Sequence, residues 1–208
     1  MAGTTLSKPA ETRYPIHDLL RERWSPRAFA DRPVDPETLG SLLEAARWAP
    51  SSRNEQPWRV IVATRAEPAA YARMFGCLKE GNQRWAGRAP VLLLAVAKLE
   101  FTEPMSDNRH AAYDVGQAMA HLSVQATALG LSVRQMGGFI PECARETYAI
   151  PAGFEPLAML AIGYLDAPET LPDDLAERER AARTRKPFSA WVFAGTWGQA
   201  APLADPGE

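Results

Sequence analysis

Hydrophobic and polar positions along this chain follow two periods, one helical and one strand-like. Leu39, Leu42, Leu43 and Ala46 recur at helical spacing behind Asp35, Pro36 and Glu37. That prefix reads as a helix start: a capping carboxylate, a proline at the first helical position where no N–H is needed, and an acid in the first turn. Pro50 ends the helix. Residues 58–63 read as a strand and 68–78 as a short helix, while 90–97 form an unbroken apolar run, the pattern of a strand buried on both faces. The longest helix is expected over 109–129, with Ala112, Val115, Met119, Leu122, Ala126 and Leu129 stepping by three and four. Asp114, Gln117, His121 and Gln125 make a second, polar stripe on it, and Gly130 caps its end. Strands are expected over 131–135 and, buried again, over 157–164. Helices interleaved with buried strands indicate an α/β or α+β sandwich around one central sheet.

At 208 residues the chain is long enough for one domain with a sizeable core. Its 18 prolines are spread evenly enough to punctuate one domain rather than divide two. We expect a disordered segment over 1–12, one domain over 13–200 and a flexible tail over 201–208. Hydrophobic residues make up 46% and charged residues 23% of the chain, as in ordinary soluble proteins. The formal net charge of −2 and the scattered basic residues give no sign of a nucleic-acid or anionic-membrane partner. The longest apolar run, 90–97, is too short to span a bilayer. Cys77 and Cys143 form no CxxC pair and no secretory signal is recognisable, so we expect a cytoplasmic protein whose thiols are reduced and act as small buried hydrophobes.

Several chemistries lack their residues. His17, His110 and His121 stand at no metal-ligand spacing, and no metal site is expected. GxSxG, GxGxxG and GxxxxGK patterns are missing, which argues against a hydrolase elbow, a Rossmann dinucleotide site and a P-loop. Four segments remain. Arg23-Trp24-Ser25-Pro26-Arg27 places two arginines around a hydroxyl, and arginine binds phosphate bidentately at any working pH. The segment from Pro50 through Ser51, Ser52 and Asn54 to Trp58 is a polar loop between a helix and a strand. Met136-Gly137-Gly138 follows a strand, and paired glycines let backbone N–H groups approach a ligand. Arg183-Thr184-Arg185-Lys186-Pro187 is basic, and the stretch before it, 173–180, reads as a charged surface segment. Each segment alone reads equally as a turn, a connector or a solvated surface. Together they suit a protein that holds a cofactor carrying its own chemistry.

These segments, in this order and over about residues 15–197, resemble the nitroreductase family of FMN-dependent oxidoreductases. The resemblance implies an α+β fold, with a mostly antiparallel sheet flanked by helices in a domain-entwined homodimer. It implies that Arg23, Ser25, Arg183 and Arg185 hold the FMN phosphate and ribityl chain, and that Arg27 lies beside the pyrimidine edge of the flavin. It further implies that Asn82 bonds the ring, that Met136, Gly137 and Gly138 sit near flavin N5, and that Pro50, Ser51, Ser52 and Asn54 reach the flavin of the other subunit. Trp24 departs from the family, in which many members carry a basic residue or histidine there, and could alter the ribityl or substrate contacts. The segment 100–110, which often covers the flavin in relatives, is short. The activity implied is reduction of nitroaromatics, quinones or similar small acceptors, with NADH or NADPH as a transient co-substrate and no protein nucleophile. The alternatives are a flavin reductase that supplies reduced FMN to a monooxygenase, and a non-catalytic flavin sensor.

Overall fold

The computed structural model describes residues 6–202. Its strands are β1 (Trp58–Thr64), β2 (Val91–Lys98), β3 (Glu100–Phe101), β4 (Ser106–Asp107), β5 (Ser132–Met136) and β6 (Phe154–Gly163). Its α-helices are α1 (Asp18–Glu22), α2 (Pro36–Arg47), α3 (Pro68–Gly76), α4 (Glu80–Ala86), α5 (Ala111–Ala128), α6 (Pro141–Thr147) and α7 (Asp173–Arg180). The main sheet runs β1-β2-β6-β5 with every pairing antiparallel, and β3 and β4 form a small separate hairpin. The expected α+β sandwich around an antiparallel sheet is what the chain adopts.

The apolar run of β2 explains the layers. Successive side chains on a strand point to opposite faces. Leu92, Leu94 and Val96 pack with Tyr71 and Met74 of α3, Trp85 of α4, Ala144 of α6 and Leu175 of α7. Val91, Leu93, Ala95 and Ala97 pack with Leu42 and Ala46 of α2 and with Val115, Met119 and Leu122 of α5. A strand covered on both faces has no use for alternating polarity, so its sequence is uniformly apolar. The start signal at Asp35 works as expected: its carboxylate accepts from the Thr38 N–H at 2.8 Å. Gly130 sits at φ +73° after α5, the left-handed cap that a side chain would disfavour.

Three expectations need correction. Residues 6–12 of the segment expected to be disordered are held in place: the Ala10 N–H donates to the Arg21 carbonyl at 2.8 Å, and Lys8 Nζ to the Glu179 carbonyl at 2.6 Å. Residues 1–5 lie outside the described residues, as do 203–208 of the expected tail, whose first residue, Ala201, donates to the Val192 carbonyl at 2.9 Å. The stretch 173–180 is not simply a solvated surface segment. It forms α7, with Leu175, Ala176 and Glu179 buried at the i, i+1, i+4 positions of one helical face. The short helices α1, α4 and α6 were not anticipated, because seven or fewer residues carry too little periodicity to register.

One packing detail fixes the position of the first arginine segment. Phe29 is fully buried, bridges to Leu165 and stacks on Trp85 with ring centroids 6.2 Å apart. The Ala30 N–H donates to the Tyr164 carbonyl at 2.9 Å and the Asp166 N–H to the Ala28 carbonyl at 3.1 Å. The segment is thus stitched to the chain leaving β6. Gly163 makes the close approach possible, since a Cβ there would lie 2.5 Å from Pro90 Cδ and 3.2 Å from the Phe29 ring. Gly163→Ala should therefore destabilise the protein by about 1–3 kcal/mol through overpacking. The measurement is urea unfolding, and a midpoint equal to that of the wild type would refute the close-approach argument.

Candidate functional site

A cleft of ≈ 330 Å³ opens where the Arg23–Arg27 segment, β5 and the chain leaving α7 meet. Seven basic residues line it: Lys8, Arg23, Arg27, Arg134, Arg178, Arg183 and Arg185. Trp24, Ser25, Ala181 and Ala182 complete the wall, and no acid among the described residues lines it. Two segments about 160 positions apart in sequence therefore converge, as the resemblance requires for Arg23, Ser25, Arg27, Arg183 and Arg185.

The cations are held by neutral acceptors and by one buried acid. Arg183 donates to the carbonyls of Lys8 at 2.6 Å, Arg21 at 3.1 Å and Arg23 at 3.0 Å. Arg23 donates to Ser25 Oγ at 3.3 Å, and Arg134 donates to the Ser25 carbonyl. Lys8 caps the carbonyl end of α7 and lies 4.8 Å over the Trp24 ring. Glu179 receives the Arg27 N–H at 2.6 Å and the Ala28 N–H at 3.1 Å on Oε1, with the Arg27 guanidinium 3.4 Å from Oε2. Burial, then Arg183 and Arg185, lower the Arg23 pKa, and burial followed by Arg27 brings Arg134 down to about 10 against the opposing pull of Glu179. Both shifts report cations crowded together out of water. Guanidinium groups are cations at any working pH, so a cleft lined by them attracts an anion.

The remaining expected residues fall into two groups. Met136 is buried at the end of β5, whereas Gly137 is exposed with nothing within 4 Å of where a Cβ would stand. The Gly138 carbonyl receives the Lys79 N–H at 3.0 Å and Asn82 Nδ2 at 2.9 Å. A Cβ on Gly138 would lie 2.7 Å from that amide nitrogen, so the second glycine is needed for the α4 contact. Asn82 thus braces the glycine pair.

Pro50, Ser51, Ser52 and Asn54 do not line the basic cleft of their own chain. Their loop precedes β1, while Arg134 lies on β5, and these strands form opposite edges of the sheet. Two intervening strands separate those edges by about 14 Å at normal strand spacing. The Ser52 N–H donates to the buried Asp114 carboxylate at 3.0 Å, and the Gln56 N–H donates to Ser51 Oγ at 3.0 Å. Arg53, Asn54 and Gln56 all have positive φ, between 52° and 55°. For residues other than Asn and Gly this left-handed backbone is strained, and such strain clusters at functional sites.

The sequence profile described as the nitroreductase family matches residues 20–76 and 67–164. The chain belongs to the nitroreductase family. A crystal structure described as an oxidoreductase containing FMN superimposes with a TM-score of 0.88 at 37% identity, over 94% of this chain and 100% of that one. A nitroreductase family protein from Clostridium difficile 630 gives a TM-score of 0.67 at 29% identity, over 86% and 96% of the two chains. A protein of Stenotrophomonas maltophilia (strain K279a), carrying the provisional name NADH dehydrogenase/NAD(P)H nitroreductase, is 27% identical over 175 residues, covering 76% of this chain and 88% of that protein. A nitrobenzene nitroreductase of Ectopseudomonas oleovorans is 51% identical, but only over 49 residues, 24% of this chain and 22% of that protein.

In this family member the sequence reading missed Lys8, Arg134, Arg178 and Glu179. Two of these had a visible signal. Arg134 stands on the same face of β5 as the buried Met136, two positions away, where an exposed side chain is not expected. Glu179 stands four residues after Leu175 and three after Ala176, in register with the buried face of α7.

The hairpin of β3 and β4 is clamped to the strained loop by Glu55. Its carboxylate accepts from Lys98 Nζ at 2.9 Å, from the Thr102 N–H at 2.9 Å and from Thr102 Oγ1 at 2.6 Å. These bonds, those from Thr102 first and then that from Lys98, hold the Glu55 pKa down to about 2. A carboxylate lowered in the folded state contributes stability that is whole above its unfolded value of about 4.3 and is lost as pH falls from there. For Glu55 the loss runs down to about pH 2. Protection of the amides in residues 100–107, taken relative to the intrinsic exchange rate at each pH, should thus fall across that window in the wild type, and in Glu55→Gln it should already be low and change little with pH; the same fall in protection in Glu55→Gln would reject the clamp.

Proposed function

We propose that this protein is an FMN-dependent oxidoreductase that takes hydride from NADH or NADPH and delivers it to a small organic acceptor such as a nitroaromatic or quinone. One observation carries the reading: seven basic side chains, drawn from both ends of the chain, line one cleft that no acid lines. FMN, when bound, supplies the hydride chemistry at its N5. The residues present suit that group. A phosphate of nearly two negative charges satisfies crowded guanidiniums, and each charge-assisted bond adds about 1.5–3 kcal/mol.

The assignments refine the resemblance. Arg23, Ser25 and Arg185 would hold the phosphate and ribityl chain, joined by Arg134. Arg183, with three of its donors on backbone carbonyls, would act chiefly by fixing the Arg23 main chain. Trp24 would flank the ribityl chain, backed by Lys8. Arg27 would offset negative charge that develops at the pyrimidine edge during hydride transfer. The open backbone at Gly137, with Gly138 and Met136 braced by Asn82, would border the reacting edge. No side chain need move a proton for the nicotinamide half-reaction. Nicotinamide and acceptor would use one cleft in turn, which gives ping-pong kinetics.

We also propose that the working unit is a homodimer. The strained loop carrying Pro50, Ser51, Ser52 and Asn54 lies on the sheet edge opposite Arg134, so it would complete the site of a second copy. Large aromatics stand exposed on the single chain, among them Trp48 (72%), Tyr113 (70%), Trp191 (60%) and Trp197 (90%), and a second copy would give such side chains something to pack against. No α-helix among the described residues is long and apolar enough to cross a membrane, and Cys77 and Cys143 are free thiols; we place the protein in the cytoplasm.

The deciding experiment is a visible spectrum of the purified protein. Flavin absorption that bleaches anaerobically with NADH or NADPH and returns with a nitroaromatic or quinone is expected. A colourless protein that takes up no added FMN would refute the proposal, and rapid turnover of free FMN in place of those acceptors would make it a flavin reductase instead. Arg23→Ala should weaken FMN binding by about ten- to a hundredfold in a fluorescence titration, the equivalent of one charge-assisted bond. Sedimentation should give a dimer, and a monomer at micromolar concentration would reject the shared site.

A further inference from the structure

Glu179 has no place in the reading so far, yet it is among the most buried polar residues of the described chain, at 1% exposure. Among the described residues it is also the acid that pairs with an arginine of the cleft. Its two carboxylate oxygens do different work. Oε1 accepts both backbone N–H groups of the Arg27–Ala28 pair, at 2.6 and 3.1 Å. Oε2 faces the Arg27 guanidinium at 3.4 Å, where the Arg27 side chain is 19% and that of Glu179 is 2% exposed. The first pair of bonds fixes where the segment runs and so where Arg27 leaves the backbone; the ion pair cancels part of the Arg27 charge.

The surroundings exclude a casual surface contact. α7 presents Leu175 and Ala176 to the core on the same face as Glu179. Lys8 closes the end of the helix through the carbonyls of Glu179 and Ala181. Arg134 also feels the Glu179 charge. A buried carboxylate is retained only where its bonds offset its desolvation, and two of the three bonds to this one come from the residue assigned to the flavin edge and the third from its neighbour Ala28.

We infer that Glu179 is a positioning residue that orients Arg27 toward the cleft and attenuates the positive charge Arg27 presents to bound FMN. The inference rests on the flavin reading above. It makes an unusual demand: loss of the charge with the backbone bonds kept must strengthen the site, not weaken it. Glu179→Gln does this, since the amide oxygen can keep both N–H bonds while the NH2 group replaces the oxygen that faces the guanidinium. Glu179→Asp keeps the charge and withdraws the acceptor from the backbone.

The test uses the full chain, stripped of flavin and titrated with FMN, and then the reconstituted protein for a midpoint potential by dye equilibration. Glu179→Gln should bind FMN about three- to tenfold more tightly than wild type, as removal of one partly screened charge at this range implies, and its potential should move positive. Glu179→Asp should bind FMN no more tightly than wild type, and exchange of the Arg27 and Ala28 amides should accelerate. On an Arg27→Gln background the Glu179→Gln effect should disappear, because it acts through Arg27. Equal weakening by Gln and Asp, a Gln variant that fails to fold, or a potential that stays put would overturn the assignment while leaving the flavin reading intact. A wild-type chain that binds no FMN would overturn both.

Discussion

The site depends on holding like charges together. Arg23, Arg27, Arg134, Arg183 and Arg185 share a cleft that no acid lines, so each pair is repulsive and partly desolvated. A chain folds that way only if other interactions offset the repulsion. Here the offset comes from backbone carbonyls of Lys8, Arg21, Arg23 and Ser25, which accept from guanidiniums without cancelling their charge, and from a single buried carboxylate at Glu179. Carbonyl acceptors leave the field positive where carboxylates would quench it. The cleft keeps its attraction for an anion because its supports are mostly dipoles.

Those carbonyls are available because their segments are pinned elsewhere. The first arginine segment is fixed on one side by Phe29, seated between Trp85 and the gap that Gly163 leaves. On the other side it is fixed by Arg183, which reaches back to the carbonyls of residues 8, 21 and 23. Arg134 projects from β5, a strand whose place is set by pairing with β6. Precision at the charged surface is therefore inherited from apolar packing of the sheet. That order matters physically, since exposed ion pairs alone fix side chains weakly.

The layers of the fold were legible because period carries them: β2 is uniformly apolar because helices cover both its faces, and Val115, Met119, Leu122 and Ala126 of α5 meet the sheet as expected, whereas Ala112 and Leu129 of the expected stripe are exposed and Asp114 of the polar stripe is buried. The basic segments around Arg23 and Arg185 were legible as types of residue, but their convergence was not, since nothing local encodes a contact across the chain. Arg134 and Glu179 were obscured for opposite reasons. The arginine looked like one polar position in a short strand, and the glutamate was lost among the charges of α7, although its spacing from Leu175 put it on the buried face. The N-terminal segment looked disordered because it lacks apolar periodicity. Its order comes from Lys8 capping α7, a long-range contact of 171 positions that composition cannot register.

The loop from Ser51 to Gln56 raises a question of balance. Positive φ at Arg53 and Gln56 costs about 1–3 kcal/mol at each position unless something holds it. Part of the hold is visible: Asp114 receives the Ser52 N–H, Ser51 Oγ receives the Gln56 N–H, and the Glu55 carboxylate ties the loop to the hairpin. Arg53 lies 4.7 Å over the Phe101 ring of the same hairpin. These contacts all lie behind the loop or beside it, at the β1 edge of the sheet. None explains why the strained turn was built in that form, since an unstrained connector would join α2 to β1 equally well. With the basic cleft on the far edge of the same sheet, the second copy proposed above would bring the loop of one chain to the cleft of the other.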